Sequence, residues 1–456
     1  MKKFLVLIII ALLSTQLNAE DKKESLLLDG WTINGLAFMT YQMDGKDFND
    51  DTDMVGDNIL KLRLGAEKEF SKDIIFHIEF QDSRVMFADK TVAGNMDVED
   101  DASNNSSNNF GLFQGYLEVK NILGTKLGLK AGRFQMDYGD GRYLGSGFWS
   151  LNEIKHDGIR AQYKCEKITA DVFYTRHNSL QDQYYLKTLR SYYPLESADN
   201  FGNDVVGFWG NMKINKTNTV DLFAFMESNT AAAKELSRTT LGLNYNGKFG
   251  AFSAFADFAM QLGTSTAVNE DEDVDNVETD INAYHAALKL SYMLKPIKLS
   301  AGMDMFSGQK TYEDGEDMQI NTFSNLLGSK HKFLGMMDYF LVLGGPTGGT
   351  GNLGVNDFYF CAAYPKITKK LGASVTYHLF MSNQPGINAE DGSEFSDFGS
   401  EIDFVLTYKV AKGFMVKGGA AVFMQGDLMK QMWTATDGTV REDMPIYAFL
   451  MIVAKL

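Results

Sequence analysis

Leu60-Lys61-Leu62-Arg63-Leu64-Gly65-Ala66-Glu67 alternates apolar residues with charged or small ones. Successive side chains of a strand point to opposite faces, so this segment has one apolar face and one polar face. The same period returns near the end of the chain. Ile402, Phe404, Leu406 and Tyr408 alternate there with Glu401, Asp403, Val405 and Thr407. Segments of roughly ten residues with this alternation, repeated along a secreted chain, are the signature of a transmembrane β-barrel.

The N-terminus supports secretion. Lys2 and Lys3 precede an apolar stretch from Phe4 to Leu13, followed by Leu17-Asn18-Ala19. That is the form of a signal peptide, so residues 1–19 are set aside and 20–456 are read as one barrel domain. No cysteine lies nearby to carry a lipid anchor. The formal charge is −16, and it falls to −18 once Lys2 and Lys3 leave. Such acidity argues against nucleic acid as a partner. Six prolines suit long strands that cannot spare backbone donors. Cys165 and Cys361 fall in predicted strands and read as packing residues.

Eighteen strands are predicted, near 29–43, 58–70, 73–87, 110–120, 126–138, 157–166, 168–178, 204–214, 218–228, 237–247, 250–262, 279–293, 297–308, 354–365, 371–381, 397–410, 413–425 and 446–456. Short turns alternate with long polar loops, as periplasmic turns and outer loops do in such barrels. Phe340 to Leu343 could be read as a nineteenth strand. Bacterial barrels have even strand numbers, so 309–353 is assigned as one long loop instead. Its apolar residues, and the length of 88–109, make these two loops the expected constrictions. A secreted β-helix or a large soluble sandwich is the competing fold, but no fixed repeat supports a solenoid.

Assigning faces puts Lys61, Arg63, Glu67, His77, Glu79, Gln81, Lys130, Arg160, Gln162, Asp171, Asp221, Asn244, Asp257, Glu401, Asp403 and Lys417 inside. Ionisable groups on the lipid face would cost about 2–4 kcal/mol for Arg or Lys at the midplane. Seven of the nine arginines (Arg63, Arg84, Arg133, Arg142, Arg160, Arg176 and Arg190) lie between 63 and 190. A guanidinium fork suits carboxylate and phosphate, so these arginines read either as an anion-guiding set or as interior ion pairs. The pore candidates are Arg63, Arg84, Arg133, Arg142, Arg160, Glu401 and Asp403. The acidic runs in 44–57 and 270–280, and the Asn/Ser-rich 101–109, read as solvated loops without calcium-loop spacing. Neither a nucleophile elbow nor an HExxH pattern is present, and no catalytic residue, metal or cofactor is expected.

Gly132-Arg133, Tyr138-Gly139, Arg142, Trp149 and Asp157-Gly158-x-Arg160 lie in order within Gly132 to Arg160. His331, Lys332, Phe333, Gly335 and Asp338 follow, then Glu401, Asp403, Phe423, Gly426 and Asp427. These three segments together resemble the alginate export family of outer-membrane barrels. The resemblance implies a monomeric 18-stranded barrel in the bacterial outer membrane, set in lipid and lipopolysaccharide. It also implies passive transport of a hydrophilic solute, with an anionic saccharide or organic acid as the favoured class. Arg133, Arg142 and Arg160 match the family's lumen arginines; His331, Lys332 and Asp338 match its His-Lys-Phe-x-Gly-x-x-Asp segment and, lying in the long 309–353 loop, are the loop-constriction candidates. Alternation from Leu127, Leu129 and Ala131 sends Arg133 to lipid, so a bulge near Gly132 is expected. A non-conducting structural or adhesive barrel is the alternative function.

Overall fold

The computed structural model describes residues 30–45, 58–86, 110–151, 153–178, 202–231, 234–267, 276–311, 318–325, 327–329, 331–340, 350–388, 391–432 and 444–456. The signal peptide, most of the acidic 44–57 loop, residues 270–275, the Asn/Ser run, the 88–109 constriction candidate and Arg190 lie outside them.

Eighteen long strands form the wall. They are β1 (Trp31–Asp44), β2 (Asn58–Ser71), β3 (Ile74–Met86), β4 (Phe110–Val119), β5 (Leu127–Phe134), β6 (His156–Lys164), β7 (Ile168–Asn178), β8 (Gly202–Lys213) and β9 (Asn218–Ala231). Then come β10 (Lys234–Phe249), β11 (Phe252–Ala267), β12 (Val277–Leu294), β13 (Ile297–Phe306), β14 (Val355–Tyr364), β15 (Leu371–Ile387), β16 (Glu394–Ala411), β17 (Phe414–Gln425) and β18 (Ile446–Lys455). Each pairs antiparallel with its sequence neighbours, and β18 returns to β1 through Phe38↔Val453 and Thr40↔Met451. The sheet is thereby closed and has no free edge. β13 pairs directly with β14 across the longest connection, so 307–354 adds no wall strand. Among the described residues of this connection, only Gln319–Ile320 joins the ladder, alongside β12.

Alternation fixes two surfaces. One exposes Leu64, Leu222, Leu290 and Phe360, each about half accessible. Near the short-turn rim the same surface carries Phe70, Phe249, Phe252 and Tyr292. This is a lipid-facing band with an aromatic girdle. The other surface buries Phe38, Phe173, Phe380 and Tyr447 against segments inside the barrel. Among the described residues, no helix is long and apolar enough to cross a membrane; the strands do so.

The boundaries differ from expectation in one informative place. β5 ends at Phe134, four residues before the predicted 138. The chain leaves the wall there and turns into the lumen. A short helix α1 (Asp427–Met432) follows β17 and packs against β16, with Leu428 and Met429 buried.

Candidate functional site

The described residues of two connections fill the upper lumen, the β5–β6 loop (135–155) and the β13–β14 loop (307–354). The first is fastened at three places by polar groups of the wall. Lys61 on β2 donates to the carbonyls of Phe148 and Ser150, at 2.5 and 3.0 Å, and to Glu153 at 2.7 Å. Arg63 also pairs with Glu153, and Gln135 donates to its other oxygen at 3.0 Å. One loop carboxylate thus neutralises two wall cations. In the second place Tyr138 donates to Asp171 on β7 at 2.7 Å and stacks on Trp209, which stacks on Phe223.

The third fastening is a buried network. Arg142 pairs with Asp304 on β13 and lies 3.9 Å above the Phe333 ring. Tyr143 donates to Asp257 on β11 and meets His285 Nδ1 at 2.6 Å. His285 Nε2 reaches Asp304 at 2.6 Å, and Asn244 donates to Asp257 at 3.1 Å. Burial and the adjacent Asp257 carboxylate push the Tyr143 hydroxyl well above its ordinary range, so it stays a donor. Burial alone would lower the Arg142 guanidinium, but Asp304 and Asp140 raise it, so it stays charged.

The β13–β14 loop rests on the first. Gly145 N–H donates to the Leu327 carbonyl, Ser329 N–H to the Gly141 carbonyl, and Lys332 Nζ to the Asp140 carbonyl. Trp149 stacks on His331 with centroids 4.2 Å apart, and His331 bonds Asp338 at 2.7 Å. Phe340 lodges between Phe380 and Phe398, and Tyr339 meets Phe423. Glu401 on β16 accepts the backbone N–H groups of Met336 and Met337, at 2.5 and 3.0 Å. That cap holds a tight reversal in which Leu334, Gly335 and Asp338 all have positive φ. A Cβ on Gly335 would meet the Glu401 carboxylate at 2.6 Å, so the close approach and the left-handed backbone both require glycine.

A family model described as alginate export matches residues 46–440. The chain belongs to the alginate export family. No curated protein matches it. Among solved structures it is similar to OccAB4 of Acinetobacter baumannii, with 11% identity, 93% of this chain and 97% of that chain covered, and a TM-score of 0.58. It is also similar to OpdO of Pseudomonas aeruginosa, with 14% identity, coverage of 94% and 98%, and a TM-score of 0.55. The outer membrane protein OpdK of the same organism matches at 9% identity, with coverage of 94% and 99% and a TM-score of 0.56. At these identities the likeness is one of fold. Family and closed 18-strand barrel together place this alginate export family member in a bacterial outer membrane, as a channel-type barrel rather than an enzyme.

The family motifs now have positions. Arg63, Arg160, Glu401 and Asp403 stand on the lumen face of the wall. Arg160 lies 3.8 Å from Asp171, and Asp403 lies 3.6 Å from His378, which also bonds Asp357. Arg142, His331, Lys332 and Asp338 are in the two lumen loops. Two candidates require correction. Arg133 does not turn inward, because β5 and β6 pair without a register shift through Gly132, and Arg133 meets Asp157 on the outward face. A register shift lies instead nearby, between β3 and β4, at Glu79/Phe80. Arg84 sits opposite Leu60, two residues above the outward Asp82, and so also faces out.

Several contributors escaped sequence reading. Glu153, Tyr143, Asp304 and His285 join Tyr138 in the loop fastenings, yet none of these four stands out within its own segment. The only local hint is Tyr138-Gly139 with Arg142, polar and turn-forming residues where a strand was predicted to continue. Among the described residues, no cluster of His, Cys, Asp and Glu has metal-site geometry.

Proposed function

We propose that this barrel is a passive channel for a small hydrophilic anion of the acidic-saccharide or organic-acid class. The reading rests on how the lumen's charges are spent. Five inward carboxylates are engaged: Glu153 by Lys61 and Arg63, Asp304 by Arg142 and His285, Glu401 by two backbone N–H groups, Asp171 by Tyr138 and Gln162, and Glu118 by Lys130 at 3.1 Å. Lys289 on β12, Lys298 on β13 and Lys417 on β17 share the inward face, and among the described residues none has a carboxylate within ion-pair distance. Cations without local counter-charges make this stretch of the low-dielectric wall locally positive, which raises anion concentration beside it.

The test is the reversal potential of single channels in a salt gradient. Anion preference is expected, and the triple variant K289Q/K298Q/K417Q should move it toward cations. A cation-preferring wild type with no shift in the variant would remove the anionic solute. The depth to which the two loops fill the lumen favours a second reading, a non-conducting structural barrel; its signature is the absence of any channel current from folded protein.

A further inference from the structure

Glu401 and Asp403 stand two residues apart on the lumen face of β16, both buried. Their side chains hydrogen-bond to each other. Ionised carboxylates only accept, so a bond between two carboxyl groups requires a proton on one of them. Asp403 Oδ1 makes the same demand: it is buried, and among the described residues no donor reaches it. Glu401 Oε1 accepts the N–H groups of Met336 and Met337, at 2.5 and 3.0 Å. A proton on Glu401 Oε2 leaves that cap in place and supplies the missing donor.

The neighbouring elements do not neutralise the pair. His378 on β15 is directly opposite Glu401, with Nε2 3.6 Å from Asp403 and Nδ1 2.9 Å from both oxygens of Asp357 on β14. Tyr359 on β14 also meets the His378 ring. Asp304 on β13, opposite Asp357, is taken up by Arg142 and His285. In the β13–β14 loop, His331 and Asp338 bond each other. On the other side β17 presents Phe423 and Ala421, which carry no charge. Among the described residues, no lysine or arginine pairs with Glu401, Asp403 or Asp357. Three buried carboxyl groups therefore share the His378 imidazole.

We propose that one proton held between Glu401 and Asp403 latches the β13–β14 loop onto the wall, and that its release as pH rises frees the loop and widens the channel. Two adjacent carboxylates in a buried site cannot both ionise, and they titrate as one unit. Once the loop lifts, water reaches both groups and both ionise. The latched state thus holds a proton that the unlatched state gives up. Low pH favours the latched loop, and the ratio of unlatched to latched loops grows by at most about tenfold per pH unit for one proton. The latch acts on the lumen loop and does not depend on which solute the channel carries.

The folded barrel in detergent would be digested from mildly acidic to alkaline pH, with cleavage within 307–354 referred to cleavage of the same chain unfolded. Wild type should be cut about tenfold faster at the alkaline end. In E401Q and D403N an amide N–H replaces the shared proton, so both should stay protected throughout the range. Infrared spectra of wild type at neutral pH should show a protonated carboxyl band that both variants lack. Constant cleavage of wild type across the range overturns the proposal. So does an undiminished rise in the folded variants, which would move the titration to His331 or His378. Absence of the infrared band overturns it even where neither variant folds.

Discussion

Arg142 and Asp304, 162 residues apart in sequence, meet as a buried ion pair that ties the β5–β6 loop to the far wall of the barrel. The pair makes Arg142 an anchor of the lumen loop. Removing one partner of a buried pair costs about 3–5 kcal/mol, because the other charge is left uncompensated. Asp304 would keep His285, which puts the cost at the low end. Arg142→Gln is expected to lower the unfolding temperature and to give larger, noisier single-channel currents, with little change in ion preference. A quiet channel of unchanged size that merely loses anion preference would show that Arg142 acts on solute instead.

Glu153 should behave in the opposite sense to a pore carboxylate. It neutralises Lys61 and Arg63 together, so Glu153→Gln adds net positive charge to the lumen while keeping the loop's shape. Stronger anion preference is expected from reversal potentials, alongside a stability loss of about 3 kcal/mol for the two weakened buried contacts. An unchanged reversal potential would mean that this corner is cut off from the ion path.

The Glu401 cap can be tested from both sides. Glu401→Ala removes the acceptor of the Met336 and Met337 N–H groups. Gly335→Ala forces a Cβ onto the same carboxylate and strains a backbone with φ of 83°. Each should cost about 1–3 kcal/mol and free the β13–β14 loop, seen as faster proteolysis within 307–354 and higher conductance. Protection equal to wild type in both variants would discount the cap.

Cys361 offers a reporter that needs no new residue. It lies on β14 opposite Ser300 and Thr376 on the inward face, half-buried. In a Cys165→Ser background, a negatively charged thiosulfonate reagent should attach to Cys361 and reduce anion current. Full current after confirmed labelling would place Cys361 off the conduction path.

The closed wall could be read from local pattern because strand alternation is a short-range signal. Whatever its neighbours are, Lys61 between Leu60 and Leu62 must face away from lipid, and every second residue along the strand follows. Strand parity also assigned 309–353 as a loop, since an extra strand would have forced one parallel pair at the seam and inverted the side of every later loop. The same logic sent Arg133 to lipid, and the structure keeps it there; the bulge invoked to bring it inward came from motif matching, not from the strand itself. Arg84 was taken as a lumen residue by its type, although alternation from the inward His77, Glu79 and Gln81 puts it outside, opposite Leu60. The chain by itself therefore determined the barrel, its strand number and the face of nearly every wall residue. Only the tertiary structure decided what fills the barrel. Arg142 with Asp304, Tyr143 with Asp257 and Glu153 with Lys61 are contacts across the lumen, between segments roughly 90 to 160 residues apart. No local period encodes them, because they depend on where a closed wall brings opposite strands and on the loops that cross between.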